Sequence, residues 1–408
     1  MKRNDRAIVG LVTVAHAMVH TYELSIPVFV PIWLSTFSVT PFELSLVVTA
    51  GFALFGLGAL PAGVLADVMS ARTLIVGCLV GMGLGFLALV VAPGPVGIAL
   101  ALVIWGAAAS VYHPSGLSLI SRGVEARGSA FAYHGMAGNL GIALGPLATT
   151  VLLVFLDWRL VAGLLALPAA VAVVYALSVD IDERAAVEEA ATDGGAQDGV
   201  RSLGEFLSTS KTLLASSFIA VFVVVVMSGT YYRGVLTFLP ELLGDVAALT
   251  PIDFYGRELT PGNYVYTGLL MVGIAGQYTA GKLTDRMRPE YGIVAGFTGL
   301  ALVSLLIGPA FSAGLPMLLG VCALLGFFLF SVQPFYQATV AEYTPASARG
   351  LSYGYTYLGT FGVGAAGGVV AGALLTYADP ATLFAALSAI ALVAVAVGAV
   401  LVSRGSPN

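Results

Sequence analysis

The stretch Gly63-Val-Leu-Ala-Asp67 closes one long apolar run of the chain, and Gly281-Lys-Leu-Thr-Asp285 closes another run 218 positions later. Two further sets of residues repeat in the same order at offsets of 220 and 222. These are Gly106 and Pro114 with Gly326 and Pro334, and Arg127-Gly128 with Arg349-Gly350. Three anchors in order at a nearly constant offset predict that the chain holds two copies of one structural unit.

The composition places this repeat in a membrane. Of the 408 residues, 58% are hydrophobic and 10% are charged, whereas a soluble protein carries roughly 25% charged residues. Apolar runs of about 20 residues recur along the chain, and each is long enough to cross a bilayer as a helix. The runs lack the alternating polarity that a membrane β-barrel needs. The sequence therefore predicts an all-α polytopic membrane protein.

Twelve transmembrane helices account for these runs. The predicted spans are 8–33, 42–66, 73–92, 96–120, 129–155, 159–178, 212–240, 263–282, 292–312, 314–337, 351–376 and 381–402. With the N-terminus inside, all of the 17 basic residues except Arg159, Arg233 and Arg257 fall in cytoplasmic segments. This asymmetry follows the positive-inside rule and predicts that both termini are cytoplasmic in a plasma-membrane protein.

The segment 180–211 is polar and acidic, and it separates six spans from six. We therefore predict an N-terminal six-helix bundle at 1–179, a cytoplasmic linker at 180–211 and a C-terminal six-helix bundle at 212–408. The two bundles are expected to be pseudo-symmetric, in a monomer surrounded by lipid. A net charge of −5 argues against nucleic acid as a partner.

The paired Gly-x-Leu-Ala/Thr-Asp stretches resemble motif A of the major facilitator superfamily, and helix number and repeat extend the resemblance to the whole chain. The first copy departs from the pattern, because Val68 stands where a basic residue is expected. The resemblance implies a cytoplasmic gate in which carboxylates meet helix ends and arginines. The residues concerned are Gly63, Asp67, Arg72, Gly281, Asp285 and Arg286.

Within that superfamily, the His113-Pro114 pair and the stretch 127–146 are similar to the fosmidomycin-resistance type of exporter. Gly141-Ile-Ala-Leu-Gly145-Pro146 also resembles the antiporter motif C, incompletely, since Ala132 replaces an earlier glycine. The Arg-x-x-Gln-Gly of many proton-coupled drug antiporters is missing from span four. The resemblance implies a secondary transporter working by alternating access, which is not an enzyme and needs no cofactor.

All four histidines and Glu23 lie deep inside first-half spans. His16, His20 and Glu23 share one face of span one, at i, i+4 and i+7, while His113 is in span four and His134 in span five. A rise of about 1.5 Å per residue places His113 roughly 13 Å and His16 roughly 15 Å from the cytoplasmic side. Ionisable groups at such depth usually face a water-filled pathway. We expect these residues to bind substrate or the coupling proton, although a lone histidine can also be a neutral hydrogen-bonding residue.

Prolines interrupt several spans. Pro114 removes one backbone hydrogen bond and frees a carbonyl near Ser110, so it predicts a kink that His113 either steadies or uses. Pro334 with Gln333 predicts the same in the second half, and Pro146 predicts a kink in span five. Kinked helices beside titratable groups suit helices that line a cavity and rock.

Glu23 and Arg233 lie at similar distances before Pro31 and Pro240 in spans related by the repeat. We predict either an ion pair that helps to close the outer side or an Arg233 site for an anionic substrate. Two transport functions therefore stay open, namely proton-coupled export of drug-like or toxic compounds and proton-linked uptake of an organic anion. The choice between H⁺ and Na⁺ as coupling ion is also open.

Two other classes are remote alternatives. His16-x-x-x-His20 has metal-ligand spacing and Glu23 could join it, but a di-iron oxygenase needs more ligands than four histidines supply. A sensor with a transporter-like fold would be expected to carry a soluble signalling domain. No Gly-x-x-x-x-Gly-Lys-Ser/Thr loop is present in the sequence, which disfavours direct ATP drive.

Overall fold

The computed structural model describes residues 1–186, 203–344 and 348–404, and most of these residues are helical. The helices before the linker are α1 Arg3–Phe37, α2 Pro41–Leu57, α3 Ala59–Val68, α4 Ala71–Val90, α5 Pro95–Ala109, α6 Tyr112–Gly123, α7 Arg127–Leu153 and α8 Trp158–Ser178. Those after it are α9 Leu203–Leu214, α10 Phe218–Leu236, α11 Leu239–Gly244, α12 Pro261–Thr284, α13 Pro289–Ser312, α14 Leu315–Glu342, α15 Arg349–Tyr357, a π-helical turn Leu358–Val363, α16 Ala366–Tyr377 and α17 Pro380–Arg404.

The all-α membrane fold is confirmed. Among the described residues, 11 helical segments are long and apolar enough to cross a membrane. Helix α12 occupies the predicted eighth span and is 24 residues long, which gives about 36 Å at 1.5 Å per residue. It falls outside that set because its sequence carries many polar residues, such as Asn263, Gln277 and Lys282.

A small hairpin lies in the loop before α12. Strands β1 Ile252–Phe254 and β2 Arg257–Leu259 pair antiparallel, with Ile252 opposite Leu259. Tyr255 and Gly256 form the two-residue turn with φ angles of 54° and 74°, as a hairpin of this length requires. The hairpin is largely exposed.

The predicted fourth span is broken one turn before its proline. Helix α5 ends at Ala109 and α6 begins at Tyr112. Pro114 has no N–H to donate to the carbonyl of Ser110, so the regular i to i−4 hydrogen bonding of the helix is interrupted there. Val111 N makes an i to i−3 bond to Ala108 O at 3.3 Å. The other two prolines behave differently, since Pro146 and Pro334 lie inside the uninterrupted helices α7 and α14.

The chain forms two compact units. Unit 1 comprises Met1–Ile26 and Ala50–Leu203, and unit 2 comprises Pro27–Thr49 and Gly204–Asn408. The hairpin formed by the second part of α1 and the first part of α2 therefore groups with unit 2, and Phe42 N donates to Thr376 Oγ1 at 2.9 Å. The domain boundaries at 179 and 212 stay a prediction, and residues 187–202 of the linker lie outside the described residues.

Each unit contains the same close helix crossing. In unit 1, a Cβ atom on Gly106 would collide with the backbone oxygen of Gly51, where α5 crosses α2. In unit 2, a Cβ atom on Gly326 would collide with the backbone oxygen of Leu269, where α14 crosses α12. The offsets are 220 and 218 positions, the same as those of the sequence repeat. Small residues allow such close backbone approach in membranes, so the repeat is also a repeat of packing.

The crossing in unit 1 gives a stability test. Gly106→Val places a branched side chain against the backbone of α2, so we expect a loss of about 2 kcal/mol in unfolding free energy from overpacking. The matched control is Gly77→Val on α4, where a Cβ atom meets nothing within 4 Å. Thermal unfolding in detergent measures both variants. Equal midpoints for the two variants would contradict the packing account.

Candidate functional site

All four histidines of the chain come together in unit 1. The His16 ring stacks on the His134 ring with centroids 3.8 Å apart. It meets the edges of the His20 and His113 rings at 4.7 and 5.3 Å, and His20 and His113 are 5.7 Å apart. The rings come from α1, α6 and α7, so tertiary packing assembles side chains that lie up to 118 positions apart in the sequence. We call His16, His20, His113, His134 and Glu23 the histidine cluster.

Hydrogen bonds connect the cluster in a line. His16 Nδ1 lies 2.7 Å from the backbone oxygen of His134, and His16 Nε2 lies 3.1 Å from His20 Nε2. His20 Nδ1 then lies 2.7 Å from Glu23 Oε2. Glu23 is fully buried, and the His20 side chain is 13% exposed. The line therefore runs from a buried carboxylate through the more accessible imidazole to a second imidazole.

These contacts fix how many hydrogens the line holds. A carbonyl oxygen only accepts, so the hydrogen between His16 and His134 sits on His16 Nδ1 and leaves His16 Nε2 as an acceptor. Two bare nitrogen lone pairs at 3.1 Å would repel, so His20 Nε2 carries a hydrogen toward His16. One further hydrogen lies between His20 and Glu23. In this arrangement one hydrogen fills each of the three contacts of the line.

Two residues outside the predicted site also shape the cluster. Tyr112 stacks against His16 with centroids 5.4 Å apart, and its hydroxyl donates to Val12 O. Gly138 on α7 lies against the His16 ring, where a Cβ atom would lie 2.5 Å from His16 Cε1. Tyr112 precedes the His113-Pro114 pair, and Gly138 lies in the glycine-rich stretch of α7. Both residues could therefore have been found from their position beside motifs that the sequence shows.

The remaining predicted membrane residues lie in unit 2. Arg233 on α10 is 1% exposed, and its guanidinium lies over the rings of Tyr232 and Phe361 at 5.2 and 5.8 Å. Such positions favour a cation through the ring quadrupole. Gln333 on α14 is half-buried. The pairing of Glu23 with Arg233 stays a prediction.

Among the predicted gate residues of unit 1, Arg72 binds the end of a neighbouring helix. Arg72 donates from Nε to Ala176 O at 2.8 Å and from Nη2 to Leu177 O at 2.5 Å, at the C-terminal end of α8. A cation is stabilised there by the helix dipole. Asp67 lies in the last turn of α3, and a Cβ atom on Gly63 would meet nothing within 4 Å.

A linker residue supplies the carboxylate at the start of α4. Glu183 accepts hydrogen bonds from Ser70 Oγ at 2.6 Å, Ala71 N at 2.8 Å and Arg72 N at 3.0 Å. No sequence motif marks Glu183 for this position, because it lies more than 110 positions from this helix. In unit 2, Asp285 and Arg286 follow α12 and are exposed, and Gly281 also has open space around it.

The sequence matches a known family over nearly all of its length. The sequence model described as Major Facilitator Superfamily matches residues 10–273 and 255–408. The chain is also 25% identical over 317 residues to a protein of Bacillus subtilis (strain 168) named "Uncharacterized MFS-type transporter YfnC". The match covers 76% of this chain and 72% of the relative.

Solved structures share the fold. A bacterial homologue of the human lysosomal transporter Spinster, inward-facing and occupied, has a TM-score of 0.74 at 14% identity, with both chains covered completely. The nucleoside transporter NupG has a TM-score of 0.75 at 12% identity, covering 98% of this chain and 99% of that one. A peptide-transporter (POT) family member has a TM-score of 0.74 at 12% identity, covering 97% and 96%. Identities this low support the fold alone.

Gly138 allows a test of the cluster. Gly138→Ala forces the His16 ring to move, so we expect altered imidazole signals in an NMR spectrum with isotope-labelled histidine and a stability loss of about 1 kcal/mol. Gly135→Ala on the same helix is the matched control, since a Cβ atom there meets nothing within 4 Å. Unchanged imidazole signals in Gly138→Ala would show that this helix does not constrain His16.

Proposed function

The chain belongs to the major facilitator superfamily, and from this premise we propose that it exports small drug-like or toxic solutes in exchange for protons. A multi-pass membrane transporter of this superfamily carries small-molecule substrates and is not an enzyme. Direction, coupling ion and substrate class are the parts that we propose. We further propose a monomer in the plasma membrane with both termini in the cytoplasm, as the distribution of basic residues predicts.

The observation that carries the proposed proton coupling is the close contact between His20 Nδ1 and the Glu23 carboxylate. Glu23 is 0% exposed and lies in a membrane-spanning helix, where an ionised carboxylate is stable only beside a donor. His20 Nδ1 supplies that donor at 2.7 Å. Loss of the proton would leave the carboxylate and the two Nε2 atoms in an unfavourable arrangement. Proton binding and release therefore change the stability of the helix contacts around the cluster.

The groups that face this pair come from three helices. His16 on α1 meets His20 directly, while His113 and Tyr112 on α6 and His134 on α7 surround His16. Their rings keep the pair away from bulk water, so a proton can reach it mainly past the partly exposed His20. A transporter that alternates between two states could thereby exchange this proton with each side of the membrane in turn.

Export is the proposed direction because the His113-Pro114 pair and the glycine-rich stretch of α7 are similar to the fosmidomycin-resistance type of exporter. Both features lie beside the cluster. His113 contributes one of its rings, and Gly138 and Gly141 bring α7 against His16 and Ala17. We also propose that Asp67, Arg72, Asp285 and Arg286 act at the cytoplasmic side as gate residues.

Glu23→Gln tests the proton assignment. The amide keeps the size of the side chain but cannot exchange a proton, so we expect gradient-driven transport in proteoliposomes to fall at least tenfold while substrate binding is kept. The control is Glu258→Gln, because Glu258 lies in the exposed hairpin. Uphill transport by Glu23→Gln at the unmodified rate would remove Glu23 from the coupling mechanism.

Uptake of an organic anion is the second candidate, and Arg233 is the observation that favours it. A guanidinium that is 1% exposed and placed over two aromatic rings can bind a carboxylate or phosphonate through paired hydrogen bonds. The anion would then be the solute that moves with the proton. This candidate predicts that anionic ligands bind the protein, whereas export of drug-like compounds predicts that cationic or neutral ligands bind it.

A thermal-shift panel separates the two candidates. A ligand that binds only the folded state raises the midpoint of unfolding by mass action. If the chain carries anions, phosphonates and carboxylates raise the midpoint, and Arg233→Lys loses most of that effect because Lys cannot replace the planar fork of Arg. Stabilisation by lipophilic cations, retained in Arg233→Lys, would instead support the exporter of drug-like compounds.

A further inference from the structure

We propose that His16, His20 and His113 form a binding site for a divalent transition-metal ion of the zinc class. One ligand nitrogen of each ring lies within 4.8 Å of the other two. Three buried or half-buried imidazoles from two helices thus converge on one point. The inference goes beyond the proposed transport function and does not depend on proton coupling.

The spacing is close to that of a real coordination sphere. Zn–N bonds of about 2.0 Å in tetrahedral geometry place neighbouring ligand nitrogens about 3.3 Å apart. His16 Nε2 and His20 Nε2 are already 3.1 Å apart. The third nitrogen, from His113, needs to approach by about 1.5 Å at most to reach that spacing, which a small rotation of the ring provides. His113 lies in the first turn of α6, directly after the break between α5 and α6.

The other ring nitrogens are held as metal-bound histidines require. A ligating histidine normally donates its second N–H to a carboxylate or a backbone carbonyl, which fixes the tautomer and aims the free nitrogen at the metal. His16 Nδ1 faces the backbone oxygen of His134 at 2.7 Å, and His20 Nδ1 faces Glu23 Oε2 at 2.7 Å. Both Nε2 atoms consequently point at each other, into the space where an ion would sit.

The donor set also selects the kind of ion. Imidazole nitrogens suit Zn²⁺, Co²⁺ and Ni²⁺, whereas Mg²⁺ and Ca²⁺ prefer oxygen ligands. The carboxylate of Glu23, hydrogen-bonded to His20, offsets part of the positive charge. The partly exposed His20 side chain gives an ion access. Within the described residues, His16, His20 and His113 form the group of metal-ligating side chains whose ligand atoms lie close enough together to share one ion.

The structure adds a third ligand, His113, to the pair of histidines that the sequence places at ligand spacing. The sequence offers only His16-x-x-x-His20 with ligand spacing, and a pair is too few for a stable metal site. His113, which is 93 positions beyond His20, supplies the third nitrogen. Three histidines leave a fourth position for water, so the site binds an ion without the ligands that a di-iron oxygenase needs.

Binding of Co²⁺ and Zn²⁺ to the purified full chain tests the proposal, using an affinity tag that contains no histidine. We expect one Zn²⁺ per chain by isothermal titration and the intense visible absorption of tetrahedral Co²⁺, which Zn²⁺ bleaches. His113→Asn should weaken Zn²⁺ binding about 100-fold, and Glu23→Gln, which alters the partner of His20, should weaken it about 10-fold.

The fourth histidine provides the matched control. His134→Asn makes the same replacement in the same cluster, but His134 contributes its backbone oxygen, which the variant keeps. We expect its Zn²⁺ affinity to stay within about threefold of the unmodified chain, well inside the change expected for a lost partner of a ligand. An equal loss of Zn²⁺ affinity in His134→Asn and His113→Asn would contradict the choice of His113 as the third ligand.

The result that overturns the proposal is no Zn²⁺ binding by the unmodified chain, or binding that His113→Asn leaves unchanged. If His113→Asn fails to fold, the Co²⁺ spectrum of the unmodified chain decides, because weak octahedral bands alone would contradict the proposed tetrahedral site of three histidines and one water. Failure of this test leaves proton-driven transport measurable in proteoliposomes, and failure of proton coupling leaves metal binding measurable in detergent.

Discussion

The contact between His20 Nδ1 and Glu23 Oε2 is the one on which the interior of unit 1 depends. An ionised carboxylate inside a membrane span is costly and is stabilised by a donor that meets it, so removing one member of such a buried pair is strongly destabilising. Because Nδ1 of His20 lies against Glu23 Oε2 at 2.7 Å, the opposite ring nitrogen, Nε2, faces His16. His16 in turn is oriented by the backbone oxygen of His134 at 2.7 Å. That second bond requires α7 to lie very close to α1, which is possible because position 138 is glycine.

The sequence predicts those parts of this arrangement that lie within one helix. The i, i+4 and i+7 spacing alone puts His16, His20 and Glu23 on one face of α1. A proline's missing N–H likewise predicts a break near Ser110. The repeat of Gly106 at Gly326 predicts two copies of one structural unit, and both glycines lie at close helix crossings in the structure. Each of these inferences needs only local geometry or the comparison of two segments of the same chain.

What depends on contacts between distant segments could not be predicted. Nothing in the sequence brings His113 and His134 into contact with His16, because the rotation of each helix about its axis is set by packing. The role of Glu183 at the start of α4 is hidden for the same reason, since it acts across more than 110 positions. The pattern also gives no reason for Pro114 to interrupt its helix while Pro146 and Pro334 do not.

Duplication supplied the scaffold of the two units but not their chemistry. The crossings at Gly106 and Gly326 are equivalent in backbone geometry, yet every histidine of the chain lies in the first half. Unit 2 instead buries a guanidinium, Arg233, between aromatic rings. A permanently charged arginine binds anions but exchanges no protons at physiological pH, whereas imidazoles exchange protons and bind metals. The titratable imidazoles therefore lie in one unit and the buried guanidinium in the other.

The proposed proton and the proposed metal ion would both bind at the same atom of the cluster. Each needs the lone pair of His16 Nε2, and each relieves the repulsion that two bare nitrogens at 3.1 Å would otherwise have. If both bind as we propose, the two cations exclude one another at this point. They differ in the number of nitrogens that they bind. A proton is shared between two nitrogens in line, while a metal ion would also bind His113. A bound metal would consequently tie α6 to α1 across the break before Pro114, where a bound proton leaves that helix free to move.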